Sequence, residues 1–203
     1  MMALFWASLF LGVAIAVPLG PIGALCINRT LERGFFAGIA GGIGTALADG
    51  LYAALAAIGF AAFAATLETI DTPLRLLGGA FMLWLGWRSL NPAPPRAEAQ
   101  VKARDLFGTV MATFLLTIAN PMTIISFAAL FSGLGLASTA GPLESAAVVA
   151  GVITGSMLWW CVLSGGVAMV RHRLPESFTL WTSRLSGIAL ILFAMWAISS
   201  VLI

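Results

Sequence analysis

Six long apolar stretches, parted by short clusters of charge, make up almost the whole chain: residues 1–28, 34–67, 74–90, 106–134, 145–170 and 180–203. The hydrocarbon core of a bilayer is about 30 Å thick, and a helix needs about 20 apolar residues to cross it. The pattern therefore predicts an all-α membrane protein with six transmembrane helices. Asp49 alone interrupts the second stretch, while Arg75 and Arg88 fall near the ends of the third and shortest, where long cationic side chains reach the interface.

Of the 203 residues, 61% are hydrophobic and 9% charged. Soluble domains carry about 25% charged residues, so a water-soluble globule is excluded. Cys26 and Cys161, both at the edge of or inside apolar runs, exclude a disulfide framework. The net charge of +2 gives no argument for a nucleic-acid partner. Ala14-Ile15-Ala16 has the small-x-small form of a cleavage site, but residues 1–16 hold no Lys or Arg, so the first stretch is expected to be a retained helix and not a signal peptide.

The basic residues set an orientation. Arg29 and Arg33 lie between the first two stretches, Arg88, Arg96, Lys102 and Arg104 around the third connection, and Arg171, Arg173 and Arg184 around the fifth. Only Arg75 falls in the alternate set. The odd-numbered loops are expected in the cytoplasm and both termini outside. Residues 91–105, rich in Pro, Ala and charge, read as a cytoplasmic linker joining a first three-span half, 1–90, to a second, 106–203, within a single membrane domain, 1–203.

Three spans per half invert the second half relative to the first. The halves look alike: Arg75-Leu76-Leu77-Gly78-Gly79-Ala80 followed by Trp87 has the spacing of Arg184-Leu185-Ser186-Gly187-Ile188-Ala189 followed by Trp196. Gly20-Pro21 breaks the first span as Asn120-Pro121 breaks the fourth, and glycine clusters (Gly38, Gly41, Gly42, Gly44; Gly151, Gly155) open the second and fifth. Two inverted repeats with broken first and fourth helices are expected, a pattern of secondary transporters.

Asp49 is the acidic residue well inside a span, on the order of 20 Å from its start. An ionised carboxylate there costs about 2.5–3.5 kcal/mol on insertion scales, so it needs compensation. It is read as a carboxylate facing an aqueous cavity, able to exchange a proton or meet an ammonium group. The opposing reading is a structural Asp held by Thr45, one turn earlier. Pro18-Leu19-Gly20-Pro21 and Asn120-Pro121 cannot be regular helix. Helix N-termini at such breaks present free N–H groups suited to a carboxylate, and Asn120 can cap the helix that restarts after Pro121. The glycine clusters are expected to serve close helix packing, since no Walker-type Lys follows them. His172, between Arg171 and Arg173, reads as a solvated loop residue, and Trp159 and Trp160 as packing. No catalytic constellation, metal cluster or cofactor motif emerges.

The motifs Pro18-Leu19-Gly20-Pro21-Ile22-Gly23-Ala24-Leu25-Cys26, Gly41-Gly42-Ile43-Gly44-Thr45-Ala46-Leu47-Ala48-Asp49-Gly50-Leu51-Tyr52 and Asn120-Pro121-Met122-Thr123-Ile124, in this order and spacing, resemble the lysine exporter (LysE/RhtB) family of amino-acid translocators. Many members carry Asn where this chain has Ile22, and Lys where it has Met122. The resemblance implies a six-span exporter of amino acids or similar small zwitterions in the bacterial inner membrane, driven by protons. Asp49, Thr45, Pro18, Gly20, Pro21, Asn120, Pro121 and Thr123 are expected on the substrate or proton pathway. The expected partners are the small-molecule substrate, protons and the lipid bilayer, with self-association left open. A non-transporting membrane subunit, or a transporter of a different small solute, is the alternative.

Overall fold

The structure is a computed structural model that describes residues 1–18, 20–58, 60–90, 103–120, 123–124, 126–127, 141–171, 173 and 176–202. Among these residues the longer helices run as α1 (Met2–Ala16), α2 (Pro21–Arg33), α3 (Phe35–Ile58), α4 (Phe60–Leu90), α5 (Ala103–Ile118), α6 (Pro142–Arg171) and α7 (Glu176–Leu202). Among the described residues there is no strand. By length and apolarity, 35–57 of α3 and the whole of α6 are each sufficient to cross a membrane, and α1 with α2 makes a third candidate if the bent pair is one span. Most of the 91–105 linker, together with Pro121, Met122 and His172, lies outside the described residues.

The first break forms where expected. Helix α1 ends at Ala16, and Pro18 cannot supply an N–H to continue it. Gly20 takes an extended conformation as N-cap, and Pro21 stands at the first helical position, where its missing N–H is harmless. The two helix axes differ by 82°. Gly34, at φ 89°, then turns the chain from α2 into α3 in a single residue, a conformation that suits glycine.

Two spans differ from the apolar count. Against the stretches 34–67 and 74–90, the described helices run Phe35–Ile58 and Phe60–Leu90. Glu68, Asp71 and Pro73 close the apolar stretches without stopping the helix: charged side chains leave backbone hydrogen bonds intact, and one internal proline, Pro73, removes only a local bond.

The packing has an order that recurs. Helix α1 lies most extensively on α6, α3 on both α6 and α5, and α4 on α7. Contacts rise together along α1 and α6, where Gly151 abuts Phe5 and Gly155 abuts Leu9, and along α3 and α5, where Gly44 meets Val110 and the Tyr52 hydroxyl donates to the Ile118 carbonyl. They run oppositely along α3 and α6, with Gly42 against Trp160 and Gly50 against Ile153, and along α4 and α7, with Gly79 against Ile198 and Gly86 against Gly187. The glycines thus pack helices, as expected of small residues in membrane bundles.

The outside is apolar and the inside partly polar. Phe10, Leu77, Leu158, Val162, Met169 and Leu192 stand exposed, whereas Ser8, Thr30, Asp49, Thr113, Thr117, Ser156 and Ser164 are buried. The Thr113 hydroxyl donates to the Gly41 carbonyl across helices at 2.8 Å, and the Thr117 hydroxyl to the Thr113 carbonyl one turn back at 2.8 Å. Such an arrangement suits surroundings of hydrocarbon, where apolar side chains meet lipid and polar ones meet each other.

Candidate functional site

The α1–α2 break lies against the middle of α3 and the end of α5, and a cavity of about 50 Å3 opens there. Its volume admits a few water molecules. Ile15, Ala16, Pro18 and Gly20 line it from the break, Ile22 and Gly23 from the first turn of α2, Thr45 and Asp49 from α3, Thr117 from α5, Asn120 and Thr123 from the second break, and Trp160 from α6. Six of the eight residues singled out in the sequence, Pro18, Gly20, Thr45, Asp49, Asn120 and Thr123, therefore meet around one space. Pro21 is buried at the start of α2 beside it, and Pro121 lies outside the described residues.

Both breaks restart helix in the same way. The Gly20 carbonyl accepts from the Ala24 N–H at 3.1 Å, and the Asn120 carbonyl accepts from the Thr123 and Ile124 N–H groups at 3.0 and 3.2 Å. In each case the residue before a proline opens the new turn. Helix geometry leaves first-turn N–H groups without intrahelical acceptors, and in α2 these belong to Ile22 and Gly23, both cavity-lining.

Asp49 is 1% exposed, and its partner is not Thr45. The Thr45 hydroxyl donates to the Gly41 carbonyl at 3.2 Å. Asp49 Oδ2 instead accepts from the hydroxyl of Ser156, fully buried on α6, at 2.7 Å. A hydroxyl stabilises a carboxylate without neutralising it, so the compensation that Ser156 gives is partial.

Ser156 was not among the sequence candidates, because a serine beside Gly155 reads as one more small packing residue. Trp160, read as packing, does pack against Gly42 and also lines the cavity. The two cysteines are free, Cys26 buried and Cys161 exposed on the outside of α6. Among the described residues no group of three or more His, Cys, Asp or Glu side chains could hold a metal ion.

The chain resembles several known proteins over most of its length. A Bacillus subtilis protein named for amino acid efflux, YcgF, is 24% identical over 96% of this chain and 95% of its own. Chemotactic transduction protein ChpE of Pseudomonas aeruginosa is 30% identical over 78% of this chain and 79% of its own. Arginine exporter protein ArgO of Pectobacterium carotovorum is 26% identical over 81% and 80%. No solved structure matches. Residues 13–200 match the LysE type translocator family, which agrees with the motif resemblance and with the apolar exterior. The chain is a multi-pass membrane protein belonging to the LysE type translocator family.

Proposed function

We propose that the protein is a secondary transporter that exports amino acids, or similar small zwitterionic metabolites, across the bacterial inner membrane by proton antiport. The observation that carries this reading is the cavity itself: a buried carboxylate, Asp49, stands beside two helix restarts. The α2 restart offers the backbone N–H groups of Ile22 and Gly23 to a substrate carboxylate. Asp49 offers a negative partner to an ammonium group and a group that can take up a proton when the substrate leaves. Antiport follows if ammonium and proton compete for the same carboxylate.

Six spans in two inverted repeats are part of the proposal, and the glycine contacts support it. A Cβ on Gly44 would collide with the Val110 carbonyl and approach the Phe114 nitrogen, and a Cβ on Gly155 would collide with the Leu9 carbonyl and approach the Val13 nitrogen. Val110 with Phe114 and Leu9 with Val13 are both i, i+4 pairs, set 101 positions apart in the sequence. Pairing Gly44 with Gly155 pairs Thr45 with Ser156 and Asp49 with Trp160. On this reading one repeat supplies the carboxylate and the other an aromatic wall. For orientation, Arg29, Arg33 and Arg88 gather around one cavity and Arg171 reaches the Thr30 carbonyl at 3.5 Å, so the basic odd-numbered connections share one end. That end is assigned to the cytoplasm.

The test is counterflow of radiolabelled amino acids in proteoliposomes with an imposed pH gradient. Accumulation of a labelled amino acid that collapses with the gradient supports the reading. No accumulation across all twenty would favour a non-transporting membrane subunit.

A further inference from the structure

A second cavity, of about 310 Å3, lies at the arginine-rich end between α2, α4 and α7. That volume falls in the range of small-ligand pockets. Leu25 and Leu85 line it and belong to the same buried apolar cluster as Ile22 and Trp160, which line the Asp49 cavity, so packed apolar side chains stand between the two spaces. Hydrogen bonds fix its walls. The Asn28 amide nitrogen donates to the Ser183 hydroxyl at 3.1 Å, and that hydroxyl donates to the Ser89 carbonyl at 3.0 Å, so α2, α7 and α4 are tied together around it.

The charges on the lining are unequal. Arg29, Arg33 and Arg88 share it with one carboxylate, Glu32. Glu32 is already engaged within its own helix, where Oε1 accepts from the Asn28 amide at 3.0 Å and Oε2 stands 3.8 Å from an Arg29 terminal nitrogen. Among the described residues Arg33 and Arg88 have no acidic partner, and the like charge of each acts on Arg29. The general excess of basic residues at one end of a membrane protein accounts for arginines there, but not for three around one space. Like charges gathered beside an apolar layer repel more strongly than in water, and an anion among them removes that cost.

The rim of the cavity continues into the lipid-facing side of α4. Leu77, Ala80, Trp84 and Trp87 recur every three or four residues and are all exposed, a stripe that runs along α4 as far as Arg88. Trp87 and Arg88 belong both to this face and to the cavity lining. Tryptophans at the end of such a stripe mark the level of lipid headgroups. Arg88 lies over the Trp84 ring at 5.0 Å, a stack that engages the guanidinium face and leaves its N–H edge able to donate.

We propose that this cavity seats the headgroup of an anionic phospholipid, with its phosphodiester among Arg29, Arg33 and Arg88 and its acyl chains along the exposed stripe of α4. Guanidinium groups pair with phosphate in a bidentate way, and basic pockets between membrane helices take headgroups of this kind. A zwitterionic headgroup would bring a cation to a lining that already holds three against one anion. A free phosphate would forgo the apolar contact along α4. The proposal goes beyond export and does not rest on it, since it concerns a lipid bound apart from Asp49.

The experiment is native mass spectrometry of the purified full chain, titrated in detergent with phosphatidylglycerol, phosphatidylcholine and glycerol 3-phosphate. One phosphatidylglycerol is expected to stay bound, with the other two probes about fivefold weaker or more. Arg88→Gln, a change at an exposed position, is expected to weaken phosphatidylglycerol by about fivefold or more, the worth of one arginine beside anionic lipid. Arg33→Gln reads the same contact from α2 if the first variant does not fold. Arg184→Gln removes an exposed guanidinium that stacks on Trp181 outside the cavity, and is expected to change binding by less than about twofold. Equal binding of phosphatidylcholine would leave only apolar contact and overturns the proposal. Glycerol 3-phosphate binding as tightly as the lipid would make the cavity a free-anion site and also overturns it. Equal losses in Arg88→Gln and Arg184→Gln would mean diffuse surface charge, with the same result. Loss in Arg88→Gln alone supports the proposal even in a protein that exports nothing, while export without lipid selectivity overturns it and leaves the exporter reading standing.

Discussion

The Ser156 hydroxyl donates a 2.7 Å hydrogen bond to Asp49 Oδ2, joining α6 to α3 across the middle of the bundle. Both side chains are buried, and Thr45, one turn before Asp49, is occupied with the Gly41 carbonyl. Through Ser156 the second half of the chain touches the carboxylate of the first. If α6 moves against α3 during transport, this bond is what the movement makes or breaks.

Ser156→Ala is expected to lower stability by about 1–2 kcal/mol, the loss of a buried hydrogen bond to a charged or ionisable acceptor. The variant should still export, with the pH of half-maximal export moved from that of the parent. A purely structural bond would lower the melting temperature and leave the pH profile in place, so the two measurements together separate the roles.

Asp49→Asn is expected to insert and fold normally yet to abolish proton-coupled export. The amide oxygen can still accept from Ser156, and loss of the charge relieves the insertion penalty. Full export by this variant across a range of imposed pH gradients would reduce Asp49 to a structural part.

Gly44→Ala and Gly155→Ala are expected to destabilise by similar amounts, about 1–3 kcal/mol each, because either methyl group meets a carbonyl of the facing helix. Gly166, on the same helix as Gly155, has open space where a Cβ would go, so Gly166→Ala should be neutral or gain up to about 1 kcal/mol in helix propensity. Thermal unfolding in detergent reads all three. Unequal losses at Gly44 and Gly155 would count against the pairing of the two halves.

These outcomes bear on why some of the molecule was readable in advance. Asp49, Pro18, Gly20, Asn120 and Thr123 announce themselves by being costly or disruptive in an apolar helix, and they converge on one cavity because only there can such groups be satisfied. Ser156 announces nothing, since serine is at home in a glycine-rich helix, and its role depends on which face of α6 meets α3. Helix α4 runs beyond the apolar stretch 74–90 for the converse reason: Glu68 and Asp71 end an apolar count but not a helix. Hydrophobicity reports what lipid tolerates, and the backbone follows hydrogen bonding.

Orientation can be tested by thiol labelling in intact cells. A cysteine introduced at Ala97, in the basic third connection, is expected to be shielded from an impermeant reagent, and one at Ser138, between the fourth and fifth spans, to be labelled. Nine of the ten Lys and Arg residues fall on the odd-numbered connections or at their edges, which supplies the direction. The opposite labelling pattern would place both termini inside without touching the repeat argument.

The paired breaks yield the last prediction. Pro21 starts α2 directly after the extended Gly20, and Asn120 opens a new turn by accepting from Thr123 and Ile124. In an inverted repeat these two restarts run in opposite directions from one depth, and the first-turn N–H groups of Ile22 and Gly23 in α2 lie on the cavity. A substrate carboxylate held there would place its ammonium group toward Asp49. Pro21→Ala or Pro121→Ala restores an N–H and removes the steric bar to continuous helix, so each allows the helix to close and consume those donors. Either variant is expected to weaken substrate-induced thermal stabilisation of the purified protein, using whichever amino acid the counterflow assay selects. Pro92→Ala in the linker, outside every predicted span, serves as the control and should keep the full shift. Equal stabilisation in all three would mean that the breaks bend the helices and bind nothing.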